Sequence, residues 1–421
     1  MSFDKIFKLS NYDAVCLDFD NTLAQYNLSS LFQLHYKHLS RYLIQKKGYK
    51  NLPDVMNKDD IDFIRKGLFL DFDRGNILNL SAKGTIISAS HGTKKLDKNA
   101  IIDSYGSEMR WPTVDSIIKD KLEINSHIPT AETYSFLDFT DITAVVVYAK
   151  IVDLIEEENT AKNYRPAWDH VIDAVIDMYR LDSEFSKTFD ANVAKYLYQC
   201  KTEIIDWLCR LKENHKLILI TSACPSTFNN VVKHCLGSFW QFLFHTVIDQ
   251  AGKPNFFIGK TPFKNRANEE ITMETITGHY RNGNWQTLYN VLSKEIGRPA
   301  KCVYVGDHIV HDVYAPSLVQ SLDSVFILEE IQAEGVFFSG EHPHSQYIRS
   351  KFWGSCFRQD GMTTLLGDIV MKHSKLCIPS LMDLASKPAD FCHKPFWVSQ
   401  LFNNTIKNNN KNNNNNKKLL V

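Results

Sequence analysis

The chain has 421 residues, more than one hydrophobic core usually organises, so we expect two domains or one core with a large insertion. Its content of 44% hydrophobic and 23% charged residues is typical of a soluble globular protein. The 48 basic residues are balanced by 48 acidic ones, which argues against a nucleic-acid-binding protein, because such a protein would carry a basic excess.

The cysteines and the apolar segments indicate a cytoplasmic protein that does not associate with membranes. The nine cysteines form no CxxC pair, and several lie inside apolar runs, which predicts reduced thiols. The N-terminus has no long apolar core and therefore does not resemble a signal peptide. The most apolar helical window, residues 142–155, is interrupted by Lys150 and Asp153 and is too short to cross a bilayer.

The first predicted strand, residues 14–17, leads directly into two carboxylates, Asp18 and Asp20, with Thr22 two residues further on. Strand alternation would place both carboxylates on one side and Phe19 on the other. Two such charges repel unless a cation lies between them, and carboxylate oxygens suit Mg²⁺. The hypothesis is a Mg²⁺ site at a strand end, with one Asp free to attack phosphorus. The alternative is a turn whose acids are merely solvated, and this stretch alone leaves both open.

The segment that follows reads as a mixed insertion. Residues 28–47 are predicted to be helical, and residues 68–90 alternate like a small β-meander or hairpin. Asp71 and Asp73 in this meander repeat the LDFD pattern of residues 17–20. Because no threonine follows at the matching position and a Gly-Asn turn comes at once, we interpret this second pair as a turn. Three further helices are predicted, each with a core-facing apolar stripe: 138–158, 166–180 and 190–214.

Beyond residue 215, short apolar runs alternate with helical patterns. The predicted strands are 216–220, 244–248, 301–305 and 324–328, and the predicted helices between them are 226–236 and 285–296. This alternation predicts an α/β fold with a Rossmann-like parallel sheet covered on both faces, to which residues 14–17 contribute one strand.

The domain organisation follows from this pattern. We expect a catalytic core formed by residues 1–23 and 191–402, in which residues 340–402 pack onto the sheet. A large mixed α+β cap, residues 24–190, is inserted after the first strand. The Asn/Lys-rich residues 403–421 are predicted to be disordered.

Three of the later strands also end in groups suited to phosphate or metal. Thr221 and Ser222 follow one strand, Lys253 follows the next behind a glycine, and Asp307 and Asp312 follow a third. Ligands of open α/β sheets bind beyond the carboxyl ends of the strands, so all four sets of residues should converge on one crevice. Each set alone could be an ordinary cap, turn or solvated loop.

In this order the four sets resemble the motifs of the haloacid dehalogenase superfamily of phosphohydrolases. The stretches KGLFLDFDRGNILNL, AGKPNFF and VYVGDHIVHDVY are similar to the 5′-nucleotidase group within it, and the resemblance covers roughly residues 10–335. It implies a Mg²⁺-dependent phosphomonoester hydrolase, with a nucleoside 5′-monophosphate as the expected substrate. A phosphatase of another small phosphomonoester, such as a sugar phosphate, and a low-turnover binding or scaffold protein are the alternatives.

The resemblance also implies a role for each motif residue. Asp18 is the nucleophile that forms an aspartyl-phosphate, and Asp20 is the general acid and base. Mg²⁺ is held by Asp18, the main-chain carbonyl of Asp20, and Asp307. Thr22 and Asp312 are supporting residues, Asp312 through the water shell of the metal or through the orientation of Lys253. The residues expected to hold the phosphoryl oxygens are Thr221, Ser222 and Lys253.

One part of the pattern departs from the purine-specific members of the group, in which a cap helix supplies an Arg, an Asp and a His to the nucleotide. The matching positions here are Ile172, Ile176 and Tyr179. The two isoleucines cannot hydrogen-bond a base, and all three positions are predicted to pack in the core, although Tyr179 could stack on a base. The base preference therefore stays open, as does assembly into a homo-oligomer.

Overall fold

The computed structural model describes residues 6–120, 133–158, 163–335 and 343–395, and the tail predicted to be disordered lies outside these ranges. The strands, in chain order, are β1 (Ala14–Leu17), β2 (Leu68–Asp71), β3 (Asn76–Leu80), β4 (Ile86–His91), β5 (Lys94–Lys95), β6 (Thr133–Phe136), β7 (Lys216–Ile220), β8 (Thr246–Asp249), β9 (Phe263–Lys264), β10 (Glu270–Ile271), β11 (Gly278–Asn282), β12 (Cys302–Gly306), β13 (Leu322–Ile327), β14 (Arg358–Gln359), β15 (Met362–Thr363) and β16 (Leu376–Ile378).

The α-helices, in the same order, are α1 (Leu28–Lys47), α2 (Lys58–Phe63), α3 (Lys98–Tyr105), α4 (Val114–Lys119), α5 (Ala144–Glu158), α6 (Arg165–Met178), α7 (Glu184–Ala191), α8 (Val193–Tyr196), α9 (Thr202–Asn214), α10 (Pro225–Leu236), α11 (Asn255–Ile258), α12 (Trp285–Ile296), α13 (Ala315–Ser317), α14 (Glu330–Ala333), α15 (Ser345–Ile348), α16 (Leu365–His373) and α17 (Met382–Ala385). A π-helical turn, Ile309–Tyr314, lies between β12 and α13.

The larger sheet has nine strands in the order β10-β9-β11-β8-β7-β1-β12-β13-β16. The seven strands from β11 to β16 are parallel, whereas β9 and β10 add a short antiparallel extension. The predicted Rossmann-like parallel sheet is therefore confirmed. The strands β1 and β7 have the predicted bounds, and the other three predicted strands are shifted by one or two residues. The strand β16 was not predicted, and it comes from the segment expected only to pack onto the core.

The strand β1 lies in the middle of this sheet and is buried on both faces. Ala14 and Cys16 point into one apolar cluster, while Val15 and Leu17 point into another. Such a strand has no polar face, which is why its sequence is continuously apolar. Because β1 has neighbouring strands on both sides, Asp18 at its carboxyl end is far from the outermost strands of the sheet, and it is buried.

The residues between β1 and β7 contain a second sheet, as the prediction of an insertion after the first strand requires. It has five strands in the order β5-β4-β3-β2-β6, all antiparallel. The predicted meander is the part formed by β2, β3 and β4. The helix α1 has the predicted bounds and begins with the side chain of Asn27 accepting a hydrogen bond from the amide of Ser30.

Both faces of the second sheet share apolar cores with the larger one. Leu68 and Leu70 of β2 lie in a cluster that also contains Val303 and Val325 of the larger sheet. Phe69 points the other way, into a cluster that includes residues of β13 and α16. The two sheets therefore bury each other's apolar side chains, and the division into core and cap stays a prediction.

One predicted helix, 190–214, is wrong, because the segment forms the end of α7 and the separate helices α8 and α9. The backbone leaves helical geometry at Asn192, where φ is −142° and ψ is 41°. Further on, the amides of Tyr198 and Cys200 donate to the carbonyls of Gln25 and Cys235. These long-range bonds replace helical ones, which a pattern of apolar spacing cannot reveal.

The remaining general expectations concern thiols and membranes. All nine cysteines are free, and Cys16 and Cys302 are buried as predicted. Within the ranges described, no helix has both the length and the apolar character needed to cross a membrane.

Candidate active site

Four neighbouring strands, β8, β7, β1 and β12, end at the same edge of the larger sheet. Asp18 follows β1, Thr221 follows β7 and Asp307 follows β12, while Lys253 lies four residues beyond β8. Because the strands are parallel, their carboxyl ends meet, and loops there can surround one ligand. The structure thus brings these four predicted residues to one edge of the sheet.

Lys253 lies at the centre of this group. Its Nζ atom lies 2.8 Å from Oδ1 of Asp18 and 2.7 Å from Oδ1 of Asp312, and it donates to Oη of Tyr304 at 3.0 Å. Burial alone would lower the pKa of Lys253, but the two carboxylates outweigh burial and raise it, so the ammonium group stays charged. The predictions did not include Tyr304, since its hydroxyl is indistinguishable in sequence from that of any tyrosine in a buried strand.

Asp312 is fixed on both sides of its carboxylate. While Oδ1 binds Lys253, Oδ2 accepts a hydrogen bond from the amide of His308 at 3.0 Å. Asp312 is fully buried and packs against the backbone of Gly306, where a Cβ atom would lie 2.5 Å from the carboxyl carbon of Asp312. The glycine at the end of β12 therefore makes room for Asp312. Of the two supporting roles predicted for Asp312, these contacts favour the orientation of Lys253.

The carboxylates of Asp18, Asp307 and Asp312 form the one group of potential metal ligands found in the described ranges, with oxygen atoms within 4.8 Å of one another. Oδ2 of Asp307 is buried and has no hydrogen-bond partner there. Burial raises the pKa of Asp307 well above its usual value and that of Asp18 to about 8. Lys253 contacts Asp18 and Asp312, and a divalent cation beside the three buried carboxylates would favour their charged forms. Asp18 and Asp307 fit such a cation, since both oxygens of Asp312 have other partners.

Asp20 is not a member of this group of carboxylates. Its Oδ1 accepts a hydrogen bond from Oη of Tyr26 at 2.6 Å, and its side chain lines a cavity. Burial raises the pKa of Asp20, while the hydrogen bond from Tyr26 opposes that shift. The expected alternation fails here, since β1 ends at Leu17 and Phe19 lines the same cavity as Asp20. Nearby, the hydroxyl of Thr22 is buried without a hydrogen-bond partner in the described structure.

The loops after β7 and β8 are joined by a hydroxyl group. Oγ of Ser222 accepts a hydrogen bond from the amide of Lys253 at 3.0 Å, and Oγ1 of Thr221 accepts one from the amide of Ala223 at 3.1 Å. Each hydroxyl keeps its own proton as a donor. The helix α10 begins three residues beyond Ser222, so the loop presents hydroxyl groups at the approach to a helix N-terminus.

A second buried lysine, which the sequence analysis missed, approaches the site from the insertion. Nζ of Lys66 lies 3.7 Å from Oε1 of Glu330 and 3.7 Å from the centroid of the Phe139 ring. Its charge opposes the rise in the pKa of Asp307 that burial causes. Lys66 directly precedes the glycine that leads into β2, and its position in sequence gives no sign of this long-range partner.

The cavity beside Asp20 has a volume of about 430 Å³, within the range of small-molecule sites. It lies between α1, α7 and α10, and most of its wall is apolar or aromatic. Its lining includes Phe19, Tyr26, His35, Phe139, Tyr179, Phe185, Phe189 and Phe228. The described lining residues include neither lysine nor arginine, so a charged portion of a ligand would find no cation here.

The three positions matched to base-contacting residues have three different environments. Ile172 is buried in the core as predicted, but Ile176 is 55% exposed, which contradicts its predicted packing. Tyr179 is not a core residue either, because it lines the cavity and donates through Oη to the carbonyl of Thr140 at 2.6 Å. The apolar stripe of α6 ends before Tyr179, at Met178, where the helix itself ends.

The second LDFD pattern is a structural turn. Oδ2 of Asp71 accepts hydrogen bonds from Tyr105 at 2.6 Å and Arg74 at 3.2 Å, and Oδ1 accepts one from the amide of Asp73. These partners satisfy the carboxylate at the tight turn between β2 and β3. The interpretation of this pair as a turn is therefore confirmed.

The chain is similar to several known proteins. The model of the 5′ nucleotidase family matches residues 3–351. The chain is 28% identical to 5′-nucleotidase domain-containing protein 1 of Bos taurus and to the Homo sapiens protein of the same name. Each match covers 91% of this chain and 92% of the relative. Among solved structures, the magnesium-bound HAD-hydrolase YfnB of Bacillus subtilis has a TM-score of 0.28 and 11% identity, over 76% of this chain and 91% of that one.

Proposed function

The chain belongs to the 5′-nucleotidase family and is a phosphomonoester hydrolase, and we propose that it hydrolyses nucleoside 5′-monophosphates through an aspartyl-phosphate on Asp18. The observation that carries this proposal is the position of Asp18, in ion-pair contact with Lys253 and two residues before an acid that lines the cavity. Nucleophile, cation and proton donor are then available to one phosphomonoester.

In the first half-reaction, an oxygen of Asp18 attacks phosphorus while the bond to the leaving oxygen breaks. Asp20 donates its proton to that oxygen, so the nucleoside departs neutral. A raised pKa suits Asp20 to this task, because it keeps a proton available nearer to neutral pH. Lys253, with Thr221 and Ser222, holds the phosphoryl oxygens and balances their charge.

In the second half-reaction, the ionised Asp20 accepts a proton from water, and the resulting hydroxide attacks the phosphorus of the aspartyl-phosphate. The bond to the Asp18 oxygen breaks, which restores the carboxylate and releases inorganic phosphate. Lys253 must keep its position through both halves, and Asp312 and Tyr304 hold it there. Phosphoryl transfer depends mostly on positioning and charge, so a fixed lysine contributes directly.

We further propose that Asp18 and Asp307, with the main-chain carbonyl of Asp20, hold Mg²⁺. The unpartnered Oδ2 atom of Asp307 and the raised pKa of both carboxylates support this assignment. When bound, the ion would neutralise phosphoryl charge and keep Asp18 ionised. Asp307 and Asp312 thereby have separate tasks, one toward the ion and one toward Lys253.

The cavity supports a nucleotide over a sugar phosphate. A leaving group rich in hydroxyls would lose its hydration against walls such as Phe185 and Phe189, whereas a planar base would pack on them. Residues 24–190 would then act as the cap that selects the substrate, since α1 and α7 supply much of that wall. The nine free cysteines are consistent with a cytoplasmic location.

A substrate panel tests the proposal. Nucleoside 5′-monophosphates and sugar phosphates are compared at neutral pH, each with added Mg²⁺ and with EDTA. The proposal predicts turnover of at least one nucleotide above all sugar phosphates, and loss of that turnover in EDTA. Preference for a sugar phosphate would contradict the assignment of a nucleotide as the substrate. Turnover of no phosphomonoester would favour the binding or scaffold alternative.

A further inference from the structure

The wall of the cavity contains a buried titratable group that the proposed reaction does not use, the imidazole of His35. It lies on α1, and its side chain is 2% exposed. Its Nδ1 atom is buried without a hydrogen-bond partner in the described ranges, although the residue lines the cavity. Leaving a buried nitrogen unpaired costs free energy, and a ligand that hydrogen-bonds the imidazole would offset that cost.

The surroundings of His35 define what that ligand can be. The ring centroid of Phe185 lies 5.1 Å from that of His35, and Phe185 stacks in turn on Phe189 at 6.0 Å. Burial lowers the pKa of His35 to about 3, so at neutral pH its ring is uncharged, with one nitrogen donating and the other accepting. Aromatic walls that also carry a neutral imidazole suit a planar, uncharged ring that hydrogen-bonds once or twice.

We propose that His35 is a specificity-determining residue that hydrogen-bonds an uncharged heterocyclic ring of the leaving group, held between the aromatic side chains of this cavity. The inference rests on the proposed function only in that the leaving group enters the cavity from Asp20. It assigns ring recognition to α1, which packs against α6, and not to the α6 positions Ile172 and Ile176, which carry no hydrogen-bonding group.

The test measures binding separately from turnover. Adenosine, guanosine, cytidine and uridine are titrated by calorimetry into the full-length wild type and three variants. His35→Phe keeps the ring but removes both nitrogens, and His35→Gln keeps a donor and an acceptor. His38→Phe makes the same change one turn along α1, at a residue that does not line the cavity.

We expect at least one nucleoside to bind the wild type, and His35→Phe to weaken that binding by about 10- to 100-fold, as loss of a partner for a buried polar group does. His35→Gln should restore most of the affinity, and His38→Phe should leave it unchanged. Equal binding by wild type and His35→Phe would overturn the inference, as would the absence of nucleoside binding to the wild type.

Kinetics on the same proteins separate this inference from the proposed function. His35→Phe should lower kcat/KM for the preferred nucleotide about as much as it lowers nucleoside affinity. The same variant should leave kcat/KM for phenyl phosphate nearly unchanged, because the ring of phenyl phosphate has no hydrogen-bonding group. Nucleotide turnover that is equal in wild type and His35→Phe would refute the role of His35 and leave the proposed function standing. Nucleoside binding that depends on His35, without any nucleotide turnover, would refute the proposed function and leave the role of His35 standing.

Discussion

Nζ of Lys253 and Oδ1 of Asp312 form a fully buried ion pair of 2.7 Å, and the second oxygen of the same carboxylate is held by a backbone amide. Asp312 thus orients the lysine. Lys253→Met should lower kcat by at least ~100-fold, as removal of a donor to a developing oxyanion does. Asp312→Asn should have a smaller effect of the same kind.

The two changes together should cost less than the sum of the two logarithmic losses, because they remove one coupled pair. The measurement is a double-mutant cycle on kcat with an aryl phosphate. Strictly additive losses would mean that Asp312 acts independently of Lys253.

Gly306→Ala should lower kcat by displacing Asp312, although the added methyl group would not contact the substrate. The new Cβ atom would lie 2.5 Å from the carboxyl carbon of Asp312, which has to move and take Lys253 with it. We expect kcat to fall by at least ~10-fold and the free energy of unfolding by ~1–3 kcal/mol. Gly297→Ala is the control, since it strains a positive φ of 79° at the end of α12 with open space around it. That variant should lose stability and keep its kcat; a matching loss of kcat would point to general destabilisation.

The two LDFD patterns should respond oppositely to the same substitution. Asp18→Asn should lower kcat for an aryl phosphate by at least ~1,000-fold, because an amide cannot form the covalent intermediate. Asp71→Asn should leave kcat intact but lower the free energy of unfolding by ~1–3 kcal/mol, since Tyr105 and Arg74 lose a charged acceptor. Rates and urea unfolding of both variants give the comparison. Full activity of the Asp18 variant would rule out this nucleophile.

The carboxylate of Asp307 should make metal-free protein less stable as pH rises. Burial raises its pKa in the folded state above that of the unfolded chain, so the folded state binds more protons. The contribution of Asp307 to stability in EDTA is then highest below the usual carboxyl pKa of about 4 and falls as pH increases above it. Asp307→Asn should flatten this fall and raise the melting temperature in EDTA at neutral pH.

Added Mg²⁺ should stabilise the wild type at neutral pH and have little effect on Asp307→Asn, because an ion that binds only the folded state shifts the equilibrium toward it. Thermal melts with and without Mg²⁺ provide the readout. Asp103→Asn, which removes an exposed charge on α3, serves as the control. Equal Mg²⁺ shifts in wild type and Asp307→Asn would remove Asp307 from the metal site.

Tyr26→Phe should shift the pH dependence of catalysis upward. The hydroxyl of Tyr26 donates to the carboxylate of Asp20 and lowers its pKa against the larger effect of burial. Without that bond the pKa rises further, and the basic limb of kcat/KM for an aryl phosphate moves to higher pH. Tyr12→Phe removes a similar bond, 2.7 Å to Asp323, at the opposite edge of the sheet and should leave the profile unchanged. A downward shift for Tyr26→Phe would contradict the assignment of Asp20 as the acid.

The sequence predicted the elements that depend on local pattern. The strands β1 and β7 and the helices α1 and α12 match their predicted bounds, because each has a strong apolar pattern and clear end signals. The convergence of Asp18, Lys253 and Asp307 followed from their positions beyond the carboxyl ends of predicted parallel strands. These inferences needed only periodicity and the rule that parallel strands share an edge.

What the sequence could not predict depends on contacts across long separations. Tyr304 supports Lys253 from a strand 51 residues away, and Lys66 approaches Asp307 from the insertion. His35 lies on an apolar stripe, where spacing alone cannot separate a cavity-lining residue from a core residue. The wrong helix at 190–214 has the same origin, because its backbone amides bond to distant carbonyls.

The apolar clusters shared by the two sheets bear on how the chain folds and how it can change. An inserted segment that shares apolar cores with its host loses those contacts if either part unfolds alone, so we expect the two parts to unfold together. For the same reason, moving the insertion to another protein would expose apolar side chains of the insertion and of the larger sheet that now cover each other. We therefore expect substrate preference in this chain to change through point substitutions at the cavity wall and not through exchange of the whole insertion.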